Sequence, residues 1–410
     1  MKKIMIICLA MLSLTFAKAQ GPAITTWKQN TTATGYGGIT SDVQLVQYTA
    51  TNVYVSSTCI PAYSIGPWPT DPNIPSNQNY VHVFTLTPVQ NTGTLTVCGL
   101  GAIGVWSNGV SIYNPKDGYY WSTSSSSFVP GPGGTWTRNA LVYEGVSFDN
   151  CLGHPNVTGE YHHHVNPKCL YDDADSTHHS PIIGYAFDGF PIYGAYAYTN
   201  VAGTGPIKRM KSSYVVSTAT TRASGPPVNA TYPEGNCCED YIYTAGTGDL
   251  DVHNGRFCVT PEYPGGTYAY FVTIDASLNP VYPFVIGPTY YGIVQAGNTG
   301  PSGGHVTPSG TTTVYSPTTG INELANSSIK FQIVPNPVQD YAYIYMDASS
   351  ANNVKGSLYN AKGQLVKVIE NLQPSIAYTL DMTAFPSGIY MLSLESGNKK
   401  TMQKIIKVKQ

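Results

Sequence analysis

The sequence predicts an all-β protein, mainly β with long loops, in which a central β-domain with an internal duplication precedes a small C-terminal β-sandwich. Charged residues make up only 11% of the chain and aromatic residues 12%, with 32 tyrosines and 41 glycines. Tyrosine, threonine and valine favour strands, while glycine favours the turns between them. Short apolar runs separated by turn signals, and a hairpin motif that occurs twice, complete the case for this fold class.

The N-terminal residues predict export. Lys2-Lys3 is followed by a short apolar run over residues 4–16 and by Ala17-Lys18-Ala19. A positive start, an apolar stretch and a small-x-small triplet are typical of a signal peptide, here residues 1–19, so the mature chain should begin at Gln20. The apolar run is too short to serve as a permanent membrane span, and no later stretch is long enough.

The charge balance argues against two classes of partner. The formal net charge is −2 and the isoelectric point is near 6.5. Nucleic acids and anionic membrane surfaces attract strongly basic proteins, so neither is expected as a partner.

Seven cysteines remain once the signal peptide, with Cys8, is removed. Exported proteins keep disulfides, but sequence alone cannot fix the connectivity, and an odd count leaves one thiol unpaired. Their spacing matches no CxxC pair, so a metal site built from cysteine is the less favoured interpretation. The pairings we expect are Cys59–Cys98, Cys151–Cys169, and either Cys237 or Cys238 with Cys258.

The central region repeats itself. Residues 103–113 align with residues 183–193, and each reads as two strands joined by a two-residue turn, Asn108-Gly109 in one and Asp188-Gly189 in the other. Asn-Gly and Asp-Gly are strong hairpin signals. A turn that begins with an aspartate follows each hairpin, at Asp149 and at Asp251. This order predicts a duplicated unit with pseudo-twofold symmetry, the alternative being chance similarity between glycine-rich turns.

Histidines are concentrated between the two hairpins. Six of the nine lie between positions 154 and 179. Because side chains alternate along a strand, His162 and His164 should share one face and can reach a single metal ion. Imidazole ligands suit transition metals, so we expect Zn or Cu. The alternative is that these imidazoles are hydrogen-bonded structural groups or surface residues. The predicted ligands are His154, His162, His164 and His179, with His178 and His253 as weaker candidates.

Two classes of function remain open. One is a metal-dependent extracellular hydrolase or oxidase acting on a polymer, whose general base would be an acidic residue. Acidic residues in turns that contain aspartate and glycine, however, more often stabilise the backbone. Neither a Gly-x-Ser-x-Gly elbow nor a His-Glu-x-x-His helix is present. The other is a non-catalytic module that binds a glycan or a surface protein through tryptophans such as Trp106, Trp121 and Trp136. The candidate catalytic residues are Asp149, Glu160, Asp188 and Asp251.

The C-terminal part differs in composition from the rest. Residues 298–328 are rich in Gly, Ser, Thr and Pro, which predicts a flexible linker. Residues 329–410 then carry short strand-like runs separated by turn signals, typical of a small β-sandwich. These runs cover residues 341–345, 356–359, 364–369 and 388–394.

The C-terminal segment resembles the sorting domain of type IX secretion substrates. The residues that carry the resemblance are Val334-Pro335-Asn336-Pro337, the turn Tyr359 to Gly363, Pro386-Ser387-Gly388-Ile389-Tyr390 and the lysine-rich end from Lys404. This resemblance implies export through the periplasm, engagement of the type IX secretion machinery, removal of the tail, and a final location outside the cell or on its outer surface.

The middle of the chain, residues 20–297 with a core at about 99–292, resembles the YHYH-domain family. The strand Tyr161-His162-His163-His164 corresponds to the Tyr-His-Tyr-His signature, with His163 in place of the second tyrosine. The replaced position lies on the face opposite His162 and His164. Further matches are Gly153-His154-Pro155, Asn254-Gly255-Arg256 and residues 260–270. The family has no established activity, so the resemblance implies a fold and not a reaction.

Overall fold

A computed structural model describes residues 20–30, 32–300, 302–316, 329, 331–346, 354–373, 378–396 and 399–409. The predicted signal peptide and the predicted linker beyond residue 316 lie outside these residues. The chain divides into two compact units, residues 1–316 and 317–410. The structure is mostly β, as predicted.

The first unit contains short strands and very little helix. Its helices are α1 (Pro22–Thr25) and α2 (Ala140–Tyr143), with 3₁₀ turns at Tyr36–Gly38, Gly145–Ser147 and Cys238–Asp240. Its strands are β1 (Val43–Tyr48), β2 (Asn52–Ser57), β3 (Tyr80–Thr85), β4 (Ala102–Trp106), β5 (Ser111–Tyr113), β6 (Lys116–Ser122), β7 (Ser127–Pro130), β8 (Thr137–Asn139), β9 (His154–Pro155), β10 (Tyr161–His163), β11 (Ile182–Ala186), β12 (Pro191–Tyr193), β13 (Tyr196–Asn200), β14 (Thr204–Arg209), β15 (Tyr214–Val216), β16 (Tyr241–Tyr243), β17 (Gly255–Cys258), β18 (Thr267–Phe271) and β19 (Thr313–Tyr315).

An eight-stranded sheet in the order β17-β18-β12-β11-β4-β5-β10-β9 forms the centre of this unit. Both predicted hairpins, β4-β5 and β11-β12, lie within it. They pair with each other through β4 and β11, where Val105 lies opposite Tyr185, Trp106 opposite Gly184, and Gly104 opposite Ala186. This register is symmetric about the Val105–Tyr185 pair, so a local pseudo-twofold axis passes there.

The outer strands obey the same symmetry. Strand β5 pairs in parallel with β10, and β12 pairs in parallel with β18. Strand β10 then pairs antiparallel with the edge strand β9, and β18 pairs antiparallel with the edge strand β17. The sequence of parallel and antiparallel pairings is therefore the same from either edge of the sheet, which confirms the predicted duplication.

The two aspartate turns accept equivalent hydrogen bonds from a tyrosine. Asp149 accepts a hydrogen bond from the hydroxyl of Tyr161 at 2.9 Å, and Asp251 accepts one from Tyr268 at 2.9 Å. A Cβ atom at Gly153 would lie 2.5 Å from the Tyr161 hydroxyl, and one at Gly255 would lie 2.4 Å from that of Tyr268. Only glycine fits where the tyrosine crosses the turn, so both repeats keep it.

Further strands surround the central sheet. Strands β19-β1-β2-β3 form a second sheet, β7-β6-β8 a third, and β13-β14 and β15-β16 form two ribbons. A continuous apolar core joins these elements and includes Val55, Phe84, Trp106, Tyr185 and Phe271, all fully buried.

Part of the predicted linker is folded. Thr313–Tyr315 pairs antiparallel with residues 46–48 of β1. The side chain of Asn298 also bridges Val83, accepting from its N–H at 2.9 Å and donating to its carbonyl at 2.6 Å. Residues 302–316 therefore belong to the first unit, because backbone pairing with a distant strand overrides their loop-like composition.

The cysteines follow the prediction in part. Cys151 and Cys169 form a disulfide, as expected. The other two expected pairings are wrong, since Cys59, Cys98, Cys237, Cys238 and Cys258 are free and buried. The Cys59 thiol, for example, donates to the carbonyl of Tyr161 at 3.1 Å.

The second unit is a small β-sandwich, as predicted. Its strands are β20 (Phe331–Val334), β21 (Tyr341–Met346), β22 (Val354–Asn360), β23 (Leu365–Leu372), β24 (Tyr378–Asp381), β25 (Gly388–Ser396) and β26 (Lys399–Lys407). One sheet has the order β20-β21-β24 and the other β23-β22-β25-β26. Buried side chains from both sheets, including Phe331, Ile344, Leu358 and Leu392, form one core.

Candidate metal centre

Strands β9 and β10, at one edge of the central sheet, bring three histidines together. His162 lies directly opposite His154 in the antiparallel pairing of these strands. His164 follows two residues after His162, so it shares its face, as alternation predicts. His163 turns to the other side and meets the ring of Trp106. One ring nitrogen from each of His154, His162 and His164 lies within 4.8 Å of the others.

Backbone carbonyls fix the orientation of two of these rings. Nδ1 of His162 lies 3.1 Å from the carbonyl oxygen of Glu160, and Nδ1 of His164 lies 2.5 Å from that of Asn114. A carbonyl oxygen only accepts hydrogen bonds, so each Nδ1 carries the proton and donates it. Each Nε2 is therefore left with its lone pair free, the form in which imidazole binds a metal.

Ser147 orients the third ring in the same way. Its hydroxyl donates to the carbonyl of Glu144 at 2.7 Å and lies 2.8 Å from Nδ1 of His154. Since that hydroxyl hydrogen is already used, Nδ1 of His154 donates to the serine oxygen. Nε2 of His154 is buried and has no hydrogen-bond partner.

The three Nε2 atoms fit a metal ion. Those of His162 and His164 lie 3.1 Å apart, and both present lone pairs. Two ligand nitrogens on one zinc ion, each at about 2.0–2.1 Å, are separated by a comparable distance. Together with the unpartnered Nε2 of His154, this arrangement is what a bound transition metal would satisfy.

Burial disfavours protonation of His154 and His162. Desolvation, and then the neighbouring His164, lowers the pKa of His154 to about 4. Desolvation, followed by His154 and His164, holds the pKa of His162 well below its ordinary value. Neutral imidazole is the ligand form, so the surroundings that disfavour protonation favour metal binding.

Two carboxylates flank the triad. Oε2 of Glu144 lies 3.1 Å from Nε2 of His164 and 3.8 Å from Nε2 of His154. Oδ2 of Asp71 lies 3.5 Å from Nδ1 of His154, on the outer side of that ring. No pattern in the sequence pointed to either residue. Glu144 stands ten residues before His154, outside any strand pattern, and only the packing of α2 brings it to the site.

The triad opens onto a cavity. A space of about 470 Å³ is lined by His154, His162 and His164 together with Glu144 and Tyr113. The ring of Tyr113 stacks on His162 with centroids 3.9 Å apart, and its hydroxyl donates to Glu160 at 2.6 Å. The three histidines therefore line a cavity whose volume lies in the range that is common for small-molecule sites.

The other predicted histidine ligands lie elsewhere. His178 is exposed and pairs with Asp175 at 2.9 Å. His179 donates toward the carbonyl of Ser180, and its ring packs against Tyr193 and Tyr198. The chain turns into β11 after residue 180, which carries these side chains away from β10.

His253 belongs to the second repeat. Its Nδ1 lies 2.9 Å from the carbonyl oxygen of Thr289. In that repeat the positions equivalent to the triad, given by the strand registers, hold Arg256, Ala269 and Phe271. The repeat has therefore kept the turn and the sheet but carries no histidine ligand there.

The four acidic candidates have structural contacts. Asp149 accepts from the backbone N–H of Gly66 at 2.8 Å in addition to Tyr161. Asp188 accepts from the hydroxyl of Tyr270 at 2.6 Å, while Asp251 and Glu160 accept from Tyr268 and Tyr113. Among the described residues that line the triad cavity, none of these four is present. They stabilise turns, and Glu144 is the carboxylate at the triad.

The departure at His163 leaves the triad intact. Desolvation lowers the pKa of His163 to about 3, and neither ring nitrogen has a hydrogen-bond partner. The equivalent residue of the second repeat is Tyr270, whose hydroxyl reaches the hairpin turn at Asp188. A tyrosine at position 163 would extend toward the matching turn at Asn108. The presence of histidine there therefore changes the contact with the hairpin and leaves the triad unchanged.

Fold and site together define a mainly-β domain with internal twofold symmetry and a buried three-histidine cluster. Residues 81–282 match the YHYH protein family, and residues 332–409 match the secretion system C-terminal sorting domain. The chain therefore contains a YHYH domain and a C-terminal sorting domain. No curated protein matches it.

The sorting domain determines the compartment. A type IX sorting domain implies export and a location at the cell surface or outside the cell. Its presence also implies engagement of the type IX secretion machinery. Within the described part of the chain, no helix is both long and apolar enough to cross a membrane.

Proposed function

We propose that this protein is a secreted or cell-surface metal-binding protein whose YHYH domain holds a transition-metal ion through His154, His162 and His164. The observation that carries the proposal is the convergence of one ring nitrogen from each of three buried histidines. Nε2 of His154 is buried and has no hydrogen-bond partner, which would be costly without a ligand.

The ligand set favours zinc or copper. Imidazole nitrogen suits both ions, whereas calcium and magnesium prefer oxygen. The carbonyls of Glu160 and Asn114 and the hydroxyl of Ser147 hold the outer nitrogens, as the partners of metal-binding histidines commonly do. Zinc and copper fit these contacts equally well, so metal analysis of the protein decides between them.

The open cavity favours a site that receives a further ligand. Three protein ligands beside an open position are typical of catalytic metal sites, while structural zinc sites have four. A bound ion would supply Lewis acidity to a molecule in the cavity. Glu144, with Oε2 near His154 and His164, is placed to hold or accept a proton there. This supports the alternative of a metal-dependent extracellular hydrolase or oxidase.

The second alternative, a non-catalytic glycan- or protein-binding module, has weaker support. Trp106 is fully buried and Trp121 nearly so. Trp136 donates its Nε1–H to the carbonyl of Ala223. Trp106 and Trp121 therefore present no open face for stacking on a sugar, which leaves only the partly exposed Trp136 of the three predicted residues.

Metal analysis of purified protein comprising residues 20–316 or longer tests the proposal. We expect about one equivalent of zinc or copper after loading and desalting, and loss of that metal in the His162→Ala/His164→Ala double variant. His178→Ala is the matched control, since His178 is exposed and pairs only with nearby polar groups. Equal metal content in the double variant and the wild type would overturn the proposal.

We also propose that the tail is removed after export and that the mature chain begins at Gln20. The sorting domain at residues 332–409 and the Ala17-Lys18-Ala19 triplet support this processing.

A further inference from the structure

Three exposed aliphatic side chains line the cavity in front of the triad. Leu100 is 43% exposed, Val146 68% and Val157 87%. All three contribute to the wall of the same cavity as the histidines. Single exposed aliphatic residues are common, but several around one functional cavity indicate a binding surface.

The segments that carry these side chains are fixed to the triad. Val146 lies in the turn Gly145–Ser147, whose serine hydroxyl holds His154. Val157 lies in the turn between β9 and β10, which is closed by the Asn156 N–H to the Glu160 carbonyl at 3.0 Å. The apolar positions are therefore set by the same contacts that orient the histidine ligands.

Apart from Glu144, which faces the triad and would offset the charge of a bound ion, the charged groups of the cavity wall are already paired. Asp117 pairs with Arg138, and Lys116 lies 3.8 Å from Glu239. Asp71 accepts from the backbone N–H of Asn73 at 2.9 Å and faces His154 with its other oxygen. An ionic ligand would find no unpaired opposite charge among these groups, whereas an apolar one would cover exposed aliphatic surface.

We propose that the cavity accepts a neutral, mainly apolar molecule that presents one metal-binding atom to the triad while its apolar part contacts Leu100, Val146 and Val157. This inference rests on the proposed metal site and names the class of ligand for it. A cavity of about 470 Å³ has room for such a molecule beside the histidines. The aliphatic residues then determine specificity, and the metal supplies the anchoring point.

Imidazole and 4-phenylimidazole are suitable probes, because they share a metal-binding nitrogen and differ by one apolar ring. Each is titrated into the Cu²⁺-loaded protein and followed by the visible absorption of the copper. We expect 4-phenylimidazole to bind roughly ten-fold or more tightly than imidazole, because its phenyl ring leaves water for the aliphatic wall.

The Val146→Asn/Val157→Asn variant should lose this preference while its affinity for imidazole stays unchanged. Val215→Asn/Val216→Asn is the matched control, since these two valines are exposed on β15, outside the cavity lining. Because all four side chains are exposed, the substitutions should not disturb folding.

The outcomes separate the two proposals. If Cu²⁺ does not bind, or binds equally to the His162→Ala/His164→Ala variant, the metal site itself is wrong and this inference falls with it. If Cu²⁺ binds through the triad but the two probes bind equally, or the valine variant keeps the preference, only the apolar-ligand inference is wrong.

Discussion

Nε2 of His162 lies 3.1 Å from Nε2 of His164, a separation that two nitrogen ligands of one metal ion can have. Their Nδ1 protons are committed to the carbonyls of Glu160 and Asn114. Two lone pairs at this distance repel each other, so a cation between them removes an unfavourable interaction and adds two bonds. The strand therefore holds the site in a geometry that favours the metal-bound state.

The first prediction compares two substitutions on this strand. His162→Tyr should abolish stabilisation by Zn²⁺, while His163→Tyr, one residue along and on the opposite face, should retain it. For the wild type, free metal at 100 times its Kd should raise the free energy of unfolding by about 2.7 kcal/mol. Thermal unfolding with and without Zn²⁺ measures this. A full metal effect in His162→Tyr would contradict the assignment.

The second prediction concerns the equivalent tyrosines of the two repeats. Tyr161→Phe and Tyr268→Phe each remove a buried hydroxyl that donates to an aspartate of a turn. Each should lower the free energy of unfolding by about 1–3 kcal/mol, the usual range for a buried partner left unsatisfied. Denaturant titration checks the values. A much larger effect on one side would show that the repeats no longer share this structural role.

The third prediction is a pH dependence that originates at Asp188. Burial raises the pKa of this fully buried carboxyl to about 6. Because the pKa is higher in the folded state, the contribution to stability is full below about pH 4 and is lost as the pH rises through about 6. The free energy of unfolding should therefore fall over this interval, by about 3 kcal/mol at most from this group.

Asp188→Asn should remove this part of the decline, and asparagine is the residue at the equivalent position 108 of the first repeat. Denaturant titrations at several pH values from 4 to 7 provide the measurement. Replacement of the exposed Asp172 by asparagine is the control. An unchanged slope in Asp188→Asn would assign the pH dependence to other groups.

The fourth prediction concerns processing in the native host. Protein recovered from the medium should begin at Gln20 and lack the sorting domain at residues 332–409. Intact-mass measurement reads both ends at once. A secreted species that still contains the whole sorting domain would contradict removal of the tail, and a different first residue would contradict the cleavage site.

Local pattern was sufficient to predict much of the fold. The Asn108-Gly109 and Asp188-Gly189 turns predicted both hairpins, because these dipeptides favour the positive φ angles that a tight turn requires. Gly109 and Gly189 have φ of 82° and 86°. Alternation along β10 placed His162 and His164 on one face, since the two-residue period of a strand follows from its backbone geometry.

Contacts that depend on the packing of separate segments could not be predicted from the sequence. The strand Thr313–Tyr315 was predicted as part of a linker, because its partner β1 lies more than 260 residues earlier. Glu144 was missed because the packing of α2, and no pattern in the sequence, brings it to the triad. His179 was wrongly grouped with the triad, since closeness in sequence does not show where the chain turns. Such contacts depend on how separate segments pack, which composition and periodicity do not encode.

The last prediction concerns the disulfide between Cys151 and Cys169, which closes a segment that contains all three triad histidines. Replacing both cysteines by serine should lower the free energy of unfolding by about 3 kcal/mol, because the unfolded chain gains the freedom of an open loop. Metal affinity should fall as well, since the β9–β10 segment is then less well fixed. Calorimetric titration with Zn²⁺ and denaturant titration measure the two effects.

Cys98→Ser/Cys258→Ser is a control for loss of buried sulfur without loss of a bridge, as both thiols are free. If the Cys151→Ser/Cys169→Ser variant binds metal as tightly as the wild type, strand pairing alone holds the triad.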